Sequence, residues 1–234
     1  MNKTSTSPWR RCRLLGLAFL AACSLGVTGQ TIPNPSFETD TFTVWPGYIS
    51  DNSPITGWTA NAEYRAGLNP ATGSPFADNG AIPDGNNVAF LQSDVEINGT
   101  TLETTITGLT AGTTYKVMFR ANARAAETPN LMVMIDYVEV LYATIYPVTE
   151  TRPYAYIAFE FTASANQHLL TLLNDAAGDH TAVFDSFTIA PTSGRWVVAP
   201  WSSDEDSGVD ANYVYTHAYN FGTGDSTMIN GITF

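Results

Sequence analysis

The hydrophobic pattern along the chain is that of short strands. After the turn at 108–113, the apolar residues Tyr115, Val117 and Phe119 alternate with Lys116 and Met118, which is the period of a half-buried strand. Further strands are predicted in four segments: 130–140, 154–161, 168–173 and 183–190. Because the runs are short and no long helical period occurs, the pattern predicts an all-β sandwich of two antiparallel sheets. The long irregular half at 40–86 favours a jelly roll over an immunoglobulin-like fold.

Residues 1–29 have the pattern of a signal peptide. A basic leader precedes an apolar run at 14–22, which is too short to span a bilayer. Two processing sites compete: cleavage after Gly29, or a lipid anchor on Cys23 within the string LAAC. Either site predicts export, so we expect a secreted or cell-surface protein without a membrane span.

Removal of the leader makes an acidic chain more acidic. It leaves six basic against 22 acidic residues, a formal charge of −16 compared with −12 for the whole chain. Nucleic acid and anionic membrane surfaces are therefore poor partners. Both cysteines, Cys12 and Cys23, lie in the leader, so cleavage after Gly29 would leave a domain without disulfides. A hydrophobic core or a metal would have to stabilise it.

The chain divides into a leader, one domain and a short second segment. Residues 30–192 are long enough for one domain with a substantial core. Residues 193–234 are predicted to be a linker and the start of a second all-β domain, which would be incomplete because its last strand pattern stops at 234. We expect the molecule to be a monomer.

Five motifs in order resemble the galactose-binding-like jelly rolls: NPSFE, ITGWT, DGNNVAFLQ, GLTAGTTYKVMFRANAR and VFDSFTI. Within that group, residues 32–190 are similar to carbohydrate-binding modules of families 4, 9 and 22. They are also similar to the cell-wall family known as domain of unknown function 642. Residues 195–234 resemble the linker and repeat modules of large secreted bacterial surface proteins. The resemblance implies a non-catalytic module that binds a polysaccharide or cell-wall glycan.

The same resemblance implies one structural calcium ion, bound by Glu38 and Asp185. The chemistry agrees, because calcium takes six to eight oxygen ligands from carboxylates and carbonyls. Simple alternation would put Asp185 on one face with Val183 and Phe187, where an unpaired carboxylate would be costly. In the alternative interpretation, Glu38 caps a turn and Asp185 meets solvent at the end of its strand.

The sequence contains no catalytic motif. His168, His180 and His217 lack the spacing of a metal site, and no nucleophile elbow, phosphate loop or dinucleotide fingerprint occurs. We therefore expect a domain that is not an enzyme. The alternatives are a structural or adhesive module of a larger surface protein without a small ligand, and an accessory domain of a glycan-degrading enzyme.

The predicted ligand site is a row of polar and aromatic side chains on the sheet face away from the core. Aromatic residues that could stack on sugar rings are Trp45, Tyr48, Trp58, Tyr64, Phe90 and Tyr156. Strand alternation predicts one continuous patch, formed by Phe90, Gln92, Arg120, Asn122 and Tyr156. Trp58 is included as a ligand contact, although core packing is the alternative for it.

Overall fold

The computed structural model describes residues 29–52, 54–71, 74–93, 99–148 and 152–192, together with the backbone of three short strands further along. One 3₁₀ turn, Ile49–Asp51, accompanies the strands of the main domain. In chain order these strands are β1 Thr59–Ala60, β2 Ala66–Pro70, β3 Asn87–Gln92, β4 Thr100–Thr107, β5 Thr114–Ala123, β6 Asn130–Ile135, β7 Val138–Thr144, β8 Ala155–Thr162, β9 Gln167–Asn174 and β10 Thr181–Pro191. The later strands are β11 Tyr215–Thr216, β12 Met228–Ile229 and β13 Ile232–Thr233.

The ten strands of the main domain form two packed sheets. One sheet has the order β1-β4-β9-β6-β7, and the other has the order β8-β5-β10-β3-β2, with β11 pairing parallel to β8 at its edge. All pairings among the first ten strands are antiparallel. The prediction of an all-β jelly-roll sandwich is confirmed.

The core between the sheets is built by strand alternation. Along β5 the residues Tyr115, Val117 and Phe119 are buried, and the residues between them are partly exposed. An aromatic cluster closes one end of this core. In it Phe187 stacks on Phe119 with ring centroids 4.6 Å apart and lies 5.2 Å from Trp58. Such pairs add to the free energy gained by burial of their area.

The predicted strand at 130–140 is in fact a hairpin. It contains β6 and the first three residues of β7, joined by Asp136 and Tyr137 with φ angles of +49° and +65°. Two successive left-handed residues make a tight turn whose twist matches the flanking strands. The hydrophobic pattern did not reveal this turn, because neither residue is the glycine that such turns usually carry.

The predicted leader and the candidate lipid site at Cys23 lie outside the described residues, apart from Gly29 at the leader's end. Within 193–234, only the backbone of β11, β12 and β13 is described. The second domain therefore stays a prediction. None of the helices among the described residues has the length and apolar character needed to cross a membrane.

Candidate functional site

The outer face of the larger sheet is partly covered by the loop that joins β2 to β3. Phe76 from this loop packs on Phe90, with ring centroids 4.4 Å apart, and Tyr48 packs on the same ring at 5.6 Å. Together with Val88, Tyr154 and Val183 they form a second buried cluster, separate from the core between the sheets. The loop therefore crosses the middle of the face that was predicted to bind ligand.

This covering contradicts the prediction of one continuous exposed patch. Phe90 and Asn122 lie on the expected face, but both side chains are fully buried. The amide of Asn122 donates to the carbonyl oxygen of Asn79 at 3.1 Å and accepts from the backbone N–H of Val148 at 2.8 Å. The alternation was correct, but loop residues occupy the space that a ligand would need.

Trp58 is also enclosed, and its predicted contact with a ligand is wrong. Its side chain is 5% exposed and packs against Phe37 and Phe187. Its indole N–H donates to the carbonyl oxygen of Pro33 at 2.9 Å. Trp58 therefore belongs to the core, which was the alternative interpretation from sequence.

Two members of the predicted patch remain accessible beside each other at the outer edge of the sheet. Arg120 and Tyr156 are cross-strand partners on β5 and β8. The guanidinium carbon of Arg120 lies 3.1 Å from the centroid of the Tyr156 ring, and Tyr156 is 47% exposed. Burial lowers the pKa of Arg120, while the neighbouring Tyr156 opposes that shift.

Gln92, the last member of the predicted patch, lies in a polar cleft of about 390 Å³ at the other end of the face. The residues that line the cleft are Tyr48, Arg65, Gln92, Ser93 and Asp179. The Tyr48 hydroxyl donates to Oε1 of Gln92 at 3.0 Å, and Nε2 of Gln92 donates to the Asp179 carboxylate at 2.5 Å. These two hydrogen bonds fix the orientation of the Gln92 amide, and Asp179 is the last acceptor in the series.

A close approach of two backbones places Tyr48 in the cleft. The segment before the 3₁₀ turn pairs with β2 through a bridge between Tyr48 and Gly67, and Gly47 accepts a hydrogen bond from the N–H of Leu68 at 2.9 Å. A Cβ atom on Gly67 would lie 1.9 Å from the carbonyl oxygen of Gly47. Glycine at 67 is therefore required for Tyr48 to lie over the sheet.

The opposite wall of the cleft is tied to the end of β3. The hydroxyl of Ser93 donates to the carbonyl oxygen of Gly178 at 2.7 Å and accepts from the N–H of His180 at 3.1 Å. The side-chain amide of Asn174 donates to the carbonyl oxygens of Leu91 and His180. These bonds hold the loop that carries Asp179 against the cleft.

The cleft holds charges of both signs. Burial raises the pKa of Tyr48, the positive charge of Arg65 opposes this shift, and the negative charge of Asp179 reinforces it. Next to the cleft, Arg124 bonds Glu127 at 3.2 Å, and Glu127 also accepts the backbone N–H of Thr181 at 2.6 Å. The arrangement suits a ligand that offers several hydroxyl groups as donors and acceptors.

The carboxylates predicted to bind calcium both accept hydrogen bonds from the segment that leads into β3, at the end of that strand opposite the cleft. Glu38 accepts the backbone N–H groups of Asn86 and Asn87 at 2.9 and 2.6 Å. Asp185 is fully buried, and its two oxygens accept from the N–H groups of Asp84 and Ser186. Burial raises the pKa of Asp185 to about 7, and the negative charges of Asp84 and Glu38 add to this effect although its two hydrogen bonds oppose it.

The prediction that Asp185 and Phe187 share one face of β10 is wrong, because a bulge lies between them. The register against β5 shifts between Asp185 and Thr188, and Ser186 has φ of +54°. Asp185 therefore shares the outer face with Val183, whereas Phe187 points into the core. Simple alternation had placed all three side chains on one face. Among the described residues, no group of three or more His, Cys, Asp or Glu side chains is placed to hold a metal ion.

His168 has a structural role. Its Nε2 accepts the backbone N–H groups of Ser164 and Ala165 at 3.0 and 3.2 Å, so the proton lies on Nδ1 and is donated to Asp136 at 2.5 Å. The ring thus closes the turn before β9 and ties it to the β6–β7 hairpin. Its hydrogen-bonding groups are used within the fold.

Sequence reasoning found part of the cleft. Gln92 was predicted as a ligand contact and Tyr48 as an aromatic candidate, but Arg65, Ser93 and Asp179 were missed. Arg65 adjoins the start of β2, and Asp179 lies in the loop DAAGDHT before β10. The sequence did offer one signal for Asp179: it is an acidic residue in a glycine-containing loop next to a strand. Functional side chains often lie in such loops.

Several solved structures are similar to this chain in fold. A cyclase from Fischerella sp. TAU in complex with 4-(1H-indol-3-yl)butan-2-one is similar in structure, with a TM-score of 0.50 at 16% identity over 69% of this chain and 96% of that chain. A second Fischerella cyclase gives 0.51 at 16% identity, with the same coverage. The xylan-binding CBM22-1 domain of Paenibacillus barcinonensis Xyn10C gives 0.44 at 11% identity over 59% and 88%. A search of the curated proteins finds no match.

The fold and the cleft define a jelly-roll β-sandwich with a polar pocket at one end of a sheet. Within that class, the chain belongs to the HpiC1-like family, whose model, described as HpiC1 cyclase, matches residues 28–144, half of the chain. The match includes Tyr48, Arg65, Gln92 and Ser93, whereas Asp179 lies beyond it. The resemblance to the domain of unknown function 642 family stays a prediction.

Family membership corrects one expectation from sequence. The absence of a hydrolase or nucleotide motif predicted a domain that is not an enzyme, but the matching family is one of cyclases. The inference failed because single side chains from several strands and loops can assemble a reactive site without any short motif. The lack of a short catalytic motif therefore says little about whether a domain with this fold is an enzyme.

Proposed function

We propose that the protein binds a hydroxyl-rich small molecule, of the carbohydrate class, in the polar cleft. The observation that carries this proposal is the lining of the cleft, in which all five residues present polar groups. Tyr48, Gln92 and Asp179 form an ordered series of hydrogen bonds, so the cleft offers fixed donors and acceptors. Hydroxyl groups are matched by such a set, while an apolar ligand would leave it unpaired.

Family membership favours a second element of the proposal, acid–base chemistry on the bound ligand. Asp179 is exposed in the cleft and already accepts one hydrogen bond from Gln92. Its remaining acceptor capacity can take a proton from a ligand and return it, which is the role of a general base followed by a general acid. A cyclisation that only rearranges bonds needs no further reactant for this step.

Binding and conversion can be tested separately. A glycan array and affinity electrophoresis on soluble polysaccharides identify a ligand, and NMR of the bound ligand over time detects conversion. Asp179→Asn should abolish conversion and weaken binding about tenfold, because the acceptor of the Gln92 hydrogen bond is altered. Asp175→Asn, in the same loop but outside the cleft lining, is the matched control and should leave both unchanged. If no polysaccharide or oligosaccharide binds the folded protein, the proposed ligand class is wrong.

We also propose a structural calcium ion at Glu38 and Asp185. Support comes from the buried Asp185 carboxylate, which has Glu38 and Asp84 as negative neighbours. A cation there would offset the cost of burying charge. Calcium takes six to eight oxygen ligands, and backbone carbonyls and water would supply those that the two carboxylates do not.

Export of the protein is the remaining proposal. It rests on the basic leader and the apolar run at 14–22. Mass spectrometry of the protein recovered from its natural host decides between the two processing sites. A mature chain that starts at Gln30 supports plain secretion, a lipid on Cys23 supports a membrane anchor, and an intact Met1 contradicts both.

A further inference from the structure

The part of the outer face that the β2–β3 loop leaves open is a strip along β5 and β8. Its cross-strand pairs are Lys116 with Glu160, Met118 with Ala158 and Arg120 with Tyr156. None of these six residues is buried, and Tyr156, the aromatic residue among them, is 47% exposed. The strip lies on the far side of the covering loop from the polar cleft.

Arg120 has an unusual set of contacts for a half-buried cation. Its guanidinium lies 3.1 Å above the Tyr156 ring, and one N–H donates to the carbonyl oxygen of Tyr154 at 2.9 Å. None of the ion pairs in the described part of the chain includes it. The nearest carboxylate in the strand register, Asp185, instead accepts two backbone N–H groups. The guanidinium therefore keeps N–H groups that its own fold does not match with a carboxylate.

Charge distribution makes this position distinctive. The whole chain carries a formal charge of −12, and only five basic residues occur between 29 and 192. Two of these five, Lys116 and Arg120, lie on the same face of β5. On β8, Glu160 lies opposite Lys116, whereas the partner of Arg120 is the uncharged Tyr156.

We propose that Arg120 and Tyr156 form a second binding site, for a sugar ring that carries a carboxylate, as in a polyuronate. The planar guanidinium fork matches a carboxylate in two parallel hydrogen bonds. The exposed Tyr156 ring provides a flat apolar surface for the C–H face of a pyranose. The site is independent of the cleft, since the β2–β3 loop separates the two.

Affinity electrophoresis of the full chain in gels that contain polygalacturonate tests the proposal. Fully methyl-esterified polygalacturonate offers the same ring without the charge, and dextran sulfate offers a different anion. We expect retardation by polygalacturonate that weakens as salt is raised, and little retardation by the esterified form. Stronger retention by dextran sulfate than by polygalacturonate would overturn the assignment to a carboxylate.

Matched variants locate the site. Arg120→Gln should weaken the affinity for polygalacturonate about tenfold, and Arg120→Lys should restore only part of it, because the charge returns without the fork. Arg152→Gln removes an equal charge from an exposed loop and should have no effect. In an Asp179→Asn background, Arg120→Gln should still weaken the affinity about tenfold, because the two sites do not share residues; this separates the site from the cleft of the proposed function. Equal retardation of wild type and Arg120→Gln, with both proteins folded in thermal melts, would refute the proposal.

Discussion

The buried carboxylate of Asp185 makes a sharp prediction about pH and calcium. In chelator, the folded protein holds the proton of this carboxyl up to about pH 7, because burial and the negative charges of Asp84 and Glu38 raise its pKa. The unfolded chain releases the same proton near the ordinary value of 3.8. Between these values the folded state binds more protons, so the free energy of unfolding falls as pH rises.

The size of this effect follows from the two pKa values. One unit of pKa corresponds to about 1.4 kcal/mol, so a pKa raised from 3.8 to about 7 amounts to about 4 kcal/mol lost between pH 4 and pH 7. Solvent screens part of the interaction of this carboxylate, so about 4 kcal/mol is an upper bound for the loss. Calcium that binds only the folded state would add about 2.7 kcal/mol at a hundredfold excess over its Kd.

Urea unfolding between pH 4 and pH 7.5, with calcium or with chelator, measures both effects. In chelator the wild type should lose stability as pH rises, and calcium should reverse most of that loss. Asp185→Asn removes the titrating group, so its stability should be nearly flat with pH and should not respond to calcium. A smaller slope remains from Glu127, whose pKa burial also raises.

Glu63→Gln is the control, because it removes an exposed carboxylate and should keep both responses of the wild type. If Asp185→Asn retains the full pH slope, the assignment of the slope to this buried group is refuted. If it retains the calcium response, the ion is bound elsewhere.

Three further variants test the fold that supports the cleft. Gly67→Ala should push the segment around Gly47 off β2, since the new Cβ would lie 1.9 Å from a carbonyl oxygen; we expect a lower melting temperature together with lost cleft binding, and an unchanged melting temperature would contradict the close approach. Tyr48→Phe should weaken cleft binding in affinity electrophoresis and cost only about 1 kcal/mol of stability, because one hydrogen bond to Gln92 is lost. Phe187→Ala should cost about 3–5 kcal/mol in urea unfolding, because it empties the aromatic cluster of the core; a loss below about 1 kcal/mol would show that the cluster is loosely packed.

The sequence predicted the sheets better than it predicted their surfaces. The core-facing residues of β5 were predicted correctly, because one face of a central strand must be apolar when it packs on another sheet. On its outer face, Asn122 is buried as well. The prediction that Phe90 lies on the outer face of the sheet was also correct. What alternation cannot show is that a long loop returns over the sheet and covers that face with its own Phe76.

The candidate site was predictable only where its residues lie on strands. Gln92 follows from alternation, whereas Asp179 comes from a loop whose position depends on hydrogen bonds to Ser93 and Asn174. The bulge after Asp185 was hidden as well, because a single left-handed residue, Ser186, reverses the faces of all later residues in the strand. Such local irregularities leave little trace in hydrophobic periodicity.

The position of β10 in the middle of its sheet has a consequence for synthesis of the chain on the ribosome. Its neighbours are β3 and β5, and the N–H of Phe187 donates to the carbonyl oxygen of Pro35 near the start of the domain. Until residues 181–191 have emerged, β3 and β5 have no strand between them, and Pro35 lacks its hydrogen bond from Phe187. A nascent chain that ends at 144, where the family match ends, would lack β8, β9 and β10 and would leave edges of β3, β4, β5 and β6 unpaired. The domain therefore completes its fold late, and the interval before β10 emerges is when it is most exposed to aggregation and to chaperone binding.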